Sequence, residues 1–448
     1  MNKVIKLKRG LELPIDGAAA QVQCGVCAPA IFKVIPDHYA DIRPKLVVKE
    51  GERVLAGQAL FHDKVFAEMN FVSPVSGTIK EIVRGERRKV MSINIEADAQ
   101  TEFKQFETGG DIKTLLLESG LWAYIKQRPY DCIAMPNKTP KAVFISTFDT
   151  APLAPNYEWL LGNELPALQS AIDALRQIAP VFVGVRKGSS FMHLQNCEIY
   201  IVDGIHPAGN VGVQINHINP VNKGEQILTL NIQDAAVIGR FMMTGKVNMM
   251  KTIALTGPLV YTPQYYRVLP GMPVDTLLKC NLHKEVKCRM VNGNVLSGHQ
   301  MNPDEVIDPY LNQITVLAEG DDANEFMGWA MPRFSTFSAS NTFFSKCISG
   351  KLMTSLFGKP TFHWDARLLG GRRAIIVSGE YDKVFPMDIY PEYLIKAMIA
   401  SDINKMEELG IYEVAPEDFA LCEYVCTSKM PLQAIVRQSL DYLKKEIE

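Results

Sequence analysis

The chain has 448 residues with 47 basic and 49 acidic side chains, a net charge of −2, which excludes a nucleic-acid surface built on excess positive charge. At roughly 150 residues per domain the length predicts about three domains, and a hydrophobic share of 47% supports cores that need no disulfide staples. Nine scattered cysteines, a basic start without a long apolar region, and apolar runs far short of the roughly 20 residues that cross a bilayer predict free thiols, no signal peptide and no membrane span.

Residues 45–97 are β-rich, and KLVVKEGERVLAGQALF followed by FVSPVSGTIKEIV reads as strands punctuated by glycine turns. This pattern resembles the biotinyl/lipoyl hammerhead. In carriers of that type a lysine precedes the Ser-Pro-x-Ser-Gly turn. Here Asn70 stands near that place and Lys64 is wrongly spaced, so a structural use of the fold is expected.

Residues 110–250 alternate between helical and strand-like stretches. DIKTLLLESGLWAYIKQ has helical spacing with Asp111 as N-cap, KAVFIST and PVFVGV are buried strands, and NELPALQSAIDALRQIA is amphipathic. The alternation predicts an α/β layer with parallel strands, Rossmann-like in kind. The glycines of VDGIHPAGNVG, residues 202–212, lack a strand–loop–helix order and predict a surface loop.

Residues 251–318 turn β-rich again, with one short helix at PVDTLLKCNL, and suit a β-grasp unit. Residues 322–364 are dense in aromatics without clean periodicity, among them Phe326, Trp329, Phe334 and Phe337. They predict either a loop packed on its own domain or a contact surface for a partner or membrane interface. Residues 388–448 are helical, one helix running through PEYLIKAMIASDINKMEELG to Gly410 and another through PLQAIVRQSLDYLKKEIE.

The C-terminal part holds two windows that match a ferredoxin spacing, C-x2-C-x2-C-x3-C, whose fourth position serves the other cluster when there are two. In the second window the positions fall on Pro416, Phe419, Cys422 and Cys426; in the first, on Ile375, Ser378, Tyr381 and Phe385. Six of the eight positions are not cysteine. The replacements fill space and do not hold iron, so a helical, degenerate two-cluster module is expected. Taken alone, Cys422 and Cys426 are one face of a helix. Cys24 and Cys27 form a CxxC with no second pair; free thiols are expected there, with His38 and His62 possible metal partners only if the fold brings them close.

The ordered set of IKLKRGLELPIDG, the hammerhead segment, VLSG at 295–298, SASNTFFSKCISG at 338–350 and CTSKMPL at 426–432 resembles the A subunit family of the sodium-translocating NADH:quinone oxidoreductase, which is similar in turn to the Rnf complex C subunit. The resemblance implies a peripheral subunit on the cytoplasmic face of the bacterial inner membrane, with five partner subunits, some integral to the membrane, and no nucleic acid. It implies that NADH, flavins, iron–sulfur centres and quinone act in other subunits, with none bound here. The glycine-rich flavin loop of the Rnf relative corresponds to ESGLWAYIKQRPYDCIAMPNKTP, where only Gly120 remains and Trp122 and Tyr124 block backbone approach to a phosphate. Two roles stay open: a scaffold without a redox centre, or a direct quinone contact through Trp122, Tyr124, Tyr130 or the aromatic segment. The expected units are 1–105, 106–250, 251–320, a connecting 321–370 and a ferredoxin-like 371–448.

Overall fold

The structure is a computed structural model that describes residues 3–25, 29–278, 281–283, 285–321, 333–334, 336–340, 343–345 and 360–447. Its central sheet has seven strands in the spatial order Lys3–Lys6, Glu198–Asp203, Val181–Val185, Ala142–Ser146, Ile227–Asn231, Lys126–Arg128 and Cys132–Ile133. The first five are parallel and the last two antiparallel. Strand period two divides the side chains between two cores. Val143 and Ile145 face one, with Val183 and Leu228. Ala142 and Phe144 face the other, with Phe182, Tyr200 and Ile227.

Helices Leu165–Leu175 and Ile232–Thr244 cover the first face. They touch so closely at Gly239 that a Cβ there would lie 1.7 Å from the Ala167 carbonyl oxygen. Helix Val211–Ile218 and the C-terminal helices cover the second face. The helix expected from Asp111 onward forms only over Ile112–Glu118, with the Asp111 carboxylate accepting from the Thr114 N–H at 2.8 Å. Gly120, at a φ of +73°, then turns the chain into a buried 3-10 turn, Leu121–Tyr124.

Residues 31–97 build two small antiparallel sheets of four and three strands around one core. Phe61 and Phe71 stack there, with centroids 4.8 Å apart. Asn70 lies on a strand and its amide donates to the Glu118 carbonyl at 3.3 Å, tying this unit to the α/β layer. Residues 251–318 contribute five strands to a six-stranded mixed sheet. Two strands within the first 25 residues pair far along the chain: Lys3–Lys6 with Glu198–Asp203, and Ala20–Gly25 with Gln264–Val268. Each covers an edge whose backbone groups would otherwise stay open.

The expected helix over 391–410 is two, Pro391–Ile399 and Ile403–Glu408. Ser401 takes a φ of +53°, and Asp402 caps the second helix by accepting from the Lys405 N–H. The chain closes with helix Leu432–Ile447.

Replacing Gly239 with alanine is expected to overpack the helix pair and destabilise the fold by about 1–3 kcal/mol, read as a lower urea midpoint with an unchanged slope. An unchanged midpoint would show that the helices separate without cost.

Candidate functional site

The two cluster-like windows meet in the second core, and their contacts cross. Tyr381, third in the first window, donates its hydroxyl to the Cys426 sulfur, fourth in the second, at 2.9 Å. Phe385, fourth in the first window, packs on Phe419, second in the second, with centroids 5.0 Å apart. Tyr381, Phe385, Phe419, Cys422 and Cys426 are all buried. Burial pushes the Cys422 thiol well above its ordinary pKa, which makes it a packing group and not a ready thiolate. Ser378 gives its N–H and hydroxyl to Glu392, Ile375 is half-buried against the same core, and Pro416 opens a 3-10 turn. Three aromatic rings, Tyr381, Phe385 and Phe419, pack in this core beside the two cysteines, and neither phenylalanine can ligate iron.

This core joins the α/β layer through a buried charge cluster that no local sequence pattern announces. Arg128, 1% exposed, is the last residue of the strand Lys126–Arg128 and donates to Glu417 at 2.8 Å, with Asp131 at 3.9 Å. Asp418 accepts from the Ala415 N–H at 2.9 Å and lies against the first turn of helix Val211–Ile218. A Cβ on Gly212 would come within 2.6 Å of its carboxylate. Burial would lower the Arg128 pKa, but Asp131, Asp418 and Glu417 outweigh it and hold the guanidinium charged. Burial raises Asp418, against the pull of Arg128. Arg437 adds bonds to the Asp131 and Tyr130 carbonyls from the final helix.

The 202–212 stretch differs from the surface loop expected. It has the strand–loop–helix order, from Glu198–Asp203 into Val211–Ile218, and His206, Pro207, Ala208 and Gly209 are buried. The helix start faces the Asp418 carboxylate of the chain's own C-terminal part. His206 lies 3.1 Å from the Thr150 hydroxyl, and burial pushes its pKa down to about 4.

Trp122, Tyr124 and Tyr130 are interior residues, not a surface wall. The Trp122 indole donates to the Ala134 carbonyl at 2.7 Å. Tyr124 lies beneath Lys251, 4.8 Å from its ring centre, and the Tyr310 hydroxyl donates to the Ala123 carbonyl at 2.7 Å. These rings fill the turn at Leu121–Tyr124 with interior packing. Of the aromatic segment, Phe326 and Trp329 lie outside the described residues. Phe334 is exposed and stacks on Phe344 at 5.6 Å. Phe337 packs at 5.7 Å on Trp364, which stacks on Tyr424 at 5.6 Å. Cys24 is half-buried on an edge strand, and Cys27 lies outside the described residues. His38 lies 3.9 Å from Asp308, and His62 bonds the Asp63 carbonyl. Among the described residues no three His, Cys, Asp or Glu side chains converge as a metal site would require.

Family models match three consecutive parts of the chain: the NqrA N-terminal barrel-sandwich hybrid domain over residues 5–98, the NqrA second alpha/beta domain over 108–247 and the NQRA C-terminal domain over 252–302. The chain is 32% identical over 456 residues to the A subunit of the Na(+)-translocating NADH-quinone reductase of Vibrio vulnificus (strain YJ016), covering 99% of this chain and 100% of that protein. It is 32% identical over 458 residues to the same subunit of Haemophilus influenzae (strain PittEE), with coverage of 99% and 100%. A solved NAD+-reducing [NiFe]-hydrogenase aligns over 40% of each chain at 12% identity and a TM-score of 0.30, a likeness too slight to inform the fold. The full-length matches define a component of a redox-driven sodium pump. The chain belongs to the A subunit family of Na+-translocating NADH-quinone reductases. Among the described residues no helix is long and apolar enough to cross a membrane.

Two outcomes follow from the buried groups. Replacing Arg128 with alanine leaves the buried Asp418 carboxylate without its cation and is expected to cost about 3–5 kcal/mol. Limited proteolysis should then release the C-terminal helices first; a wild-type digestion pattern would contradict this. His206 is neutral when folded, so the unfolded chain binds the extra proton between pH 4 and 6.5. Stability is expected to be full above pH 6.5 and to fall by about 3 kcal/mol as pH drops to 4, and His206→Gln should remove that share of the slope. Identical pH profiles for the two proteins would remove His206 as the cause.

Proposed function

We propose that this chain is a peripheral subunit of the sodium pump, on the cytoplasmic face of the bacterial inner membrane, that serves as a scaffold without a redox centre of its own. Its partners on this reading are five other subunits, some integral to the membrane, which hold the flavins, iron–sulfur centres and quinone chemistry. The parallel layer reads as Rossmann-like, the 251–320 unit as β-grasp and the 371–448 unit as a two-cluster ferredoxin relic.

One observation carries this reading. In a two-cluster ferredoxin the fourth ligand of each run serves the other cluster. The Tyr381–Cys426 hydrogen bond and the Phe385–Phe419 packing follow that same crossing. Side-chain contacts therefore join the window positions that cluster ligation would otherwise link. The turn at Leu121–Tyr124 supports the reading independently, because its indole and phenol rings occupy the stretch matching a flavin loop.

The direct quinone-binding alternative needs a concave apolar wall with a few polar groups. With Trp122, Tyr124 and Tyr130 packed inside, it rests on Phe334 and Phe337 among the described residues.

Purified anaerobically as the full chain, the protein is expected to contain no stoichiometric iron, acid-labile sulfide or flavin. It should show no cluster signal in electron paramagnetic resonance after dithionite reduction. Stoichiometric iron with sulfide would overturn the scaffold reading.

A further inference from the structure

The C-terminal unit carries an apolar strip on its outer side. Residues 371–378 have no regular secondary structure, although Ala-Ile-Ile-Val at 374–377 has strong strand propensity. Ile375 packs against the second core, while Ile376 and Val377 are 60% and 51% exposed. The run is held at both ends. Arg373 donates its N–H to the Ser428 carbonyl at 2.8 Å, and the Ser428 hydroxyl donates to the Ala374 carbonyl. At the other end the buried Glu392 carboxylate accepts three bonds, from the Ser378 N–H and hydroxyl and the Gly379 N–H. Glu392 lies in the first turn of helix Pro391–Ile399, so the run abuts that helix. The same helix and its cap show solvent Tyr390, Tyr393 and Ile399, with the two tyrosine rings edge to face at 6.2 Å.

Two features say what covers this strip. Arg372, Arg373 and Lys396 fringe it, all exposed and without an ion pair among the described residues. The covering surface is therefore acidic at its margin. Among the described residues the N–H groups of Ile375, Ile376 and Val377 have no acceptor. Open backbone groups cannot enter hydrocarbon without a large penalty. An extended protein segment, by contrast, pairs as an added strand with the alternate N–H groups that point to its edge.

We propose that residues 374–377 receive a strand from another subunit of the pump, an extended apolar segment flanked by Asp or Glu, with its side chains on Tyr390 and Tyr393. This rests on membership of the family and not on the scaffold reading, since a subunit with a redox centre would need the same attachment.

The test uses the complex purified from membranes and the isolated full chain. Amide hydrogen exchange at 375–377 is expected to slow at least about tenfold in the complex relative to the isolated chain. A photo-reactive benzoylphenylalanine in place of Tyr393 is expected to cross-link to a segment of a different subunit that contains acidic residues. Unchanged exchange overturns the proposal, as does cross-linking to phospholipid, to a second copy of this chain or within the chain itself. Ile376→Pro removes one donor and should lower retention of the chain in the complex about tenfold, while Ile376→Ala retains it. Equal retention of both variants, with both melting like wild type, also overturns it.

Discussion

Neighbouring side chains of the strand Ala142–Ser146 belong to different cores, and the rest of the architecture depends on that division. Val143 and Ile145 need the helices of the α/β layer, whereas Ala142 and Phe144 need cover from elsewhere. Helix Val211–Ile218 is short and leaves much of the second face bare. The C-terminal helices complete it, with Leu394, Phe419, Leu432 and Val436 fully buried in the same core. A parallel sheet requires cover on both faces. The C-terminal part is thus a structural half of the α/β layer, and not an independent module attached by a linker.

That dependence bears on the proposed loss of clusters. A cluster withdrawn from such a core would leave a cavity, and cavities cost stability in proportion to their size. Tyr381, Phe385 and Phe419 are large side chains that close the volume, and the one polar atom they bring, the Tyr381 hydroxyl, has the Cys426 sulfur as partner. Two cysteines thereby fit a dry interior as small hydrophobic groups with weak polar capacity. Arg128, Glu417 and Asp418 act differently. They hold the C-terminal part to the sheet in one arrangement, because any slip would leave a buried charge alone.

Local signals were legible where local physics decides. The Asp111 cap, the helix at Leu165–Leu175 and the strands Ala142–Ser146 and Val181–Val185 formed as periodicity and capping residues indicated. Long-range pairing was not legible. Nothing near Lys3–Lys6 or Ala20–Gly25 indicates that their partners lie at 198–203 and 264–268. The burial of Trp122 and Tyr124 depends on Tyr310 and Lys251, far along the chain. The burial of Arg128 rests on carboxylates at positions 417 and 418, the first of them 289 residues away. The break at Ser401 falls where Ser401 and Asp402, a poor helix former and a capping residue, interrupt an otherwise helical pattern.

The pairing of the first strand has a consequence for synthesis. Lys3 reaches Tyr200 across a separation of 197 residues, and Ala20–Gly25 waits for Gln264–Val268. A ribosome makes the N-terminus first, so both strands leave the tunnel long before their neighbours exist. Contacts of such high sequence separation form slowly, and unpaired strand edges are open to wrong partners in the meantime. The lysines and arginine of KLKRG beside the first strand put like charges on that waiting segment, and like charge is a common guard against edge-to-edge association.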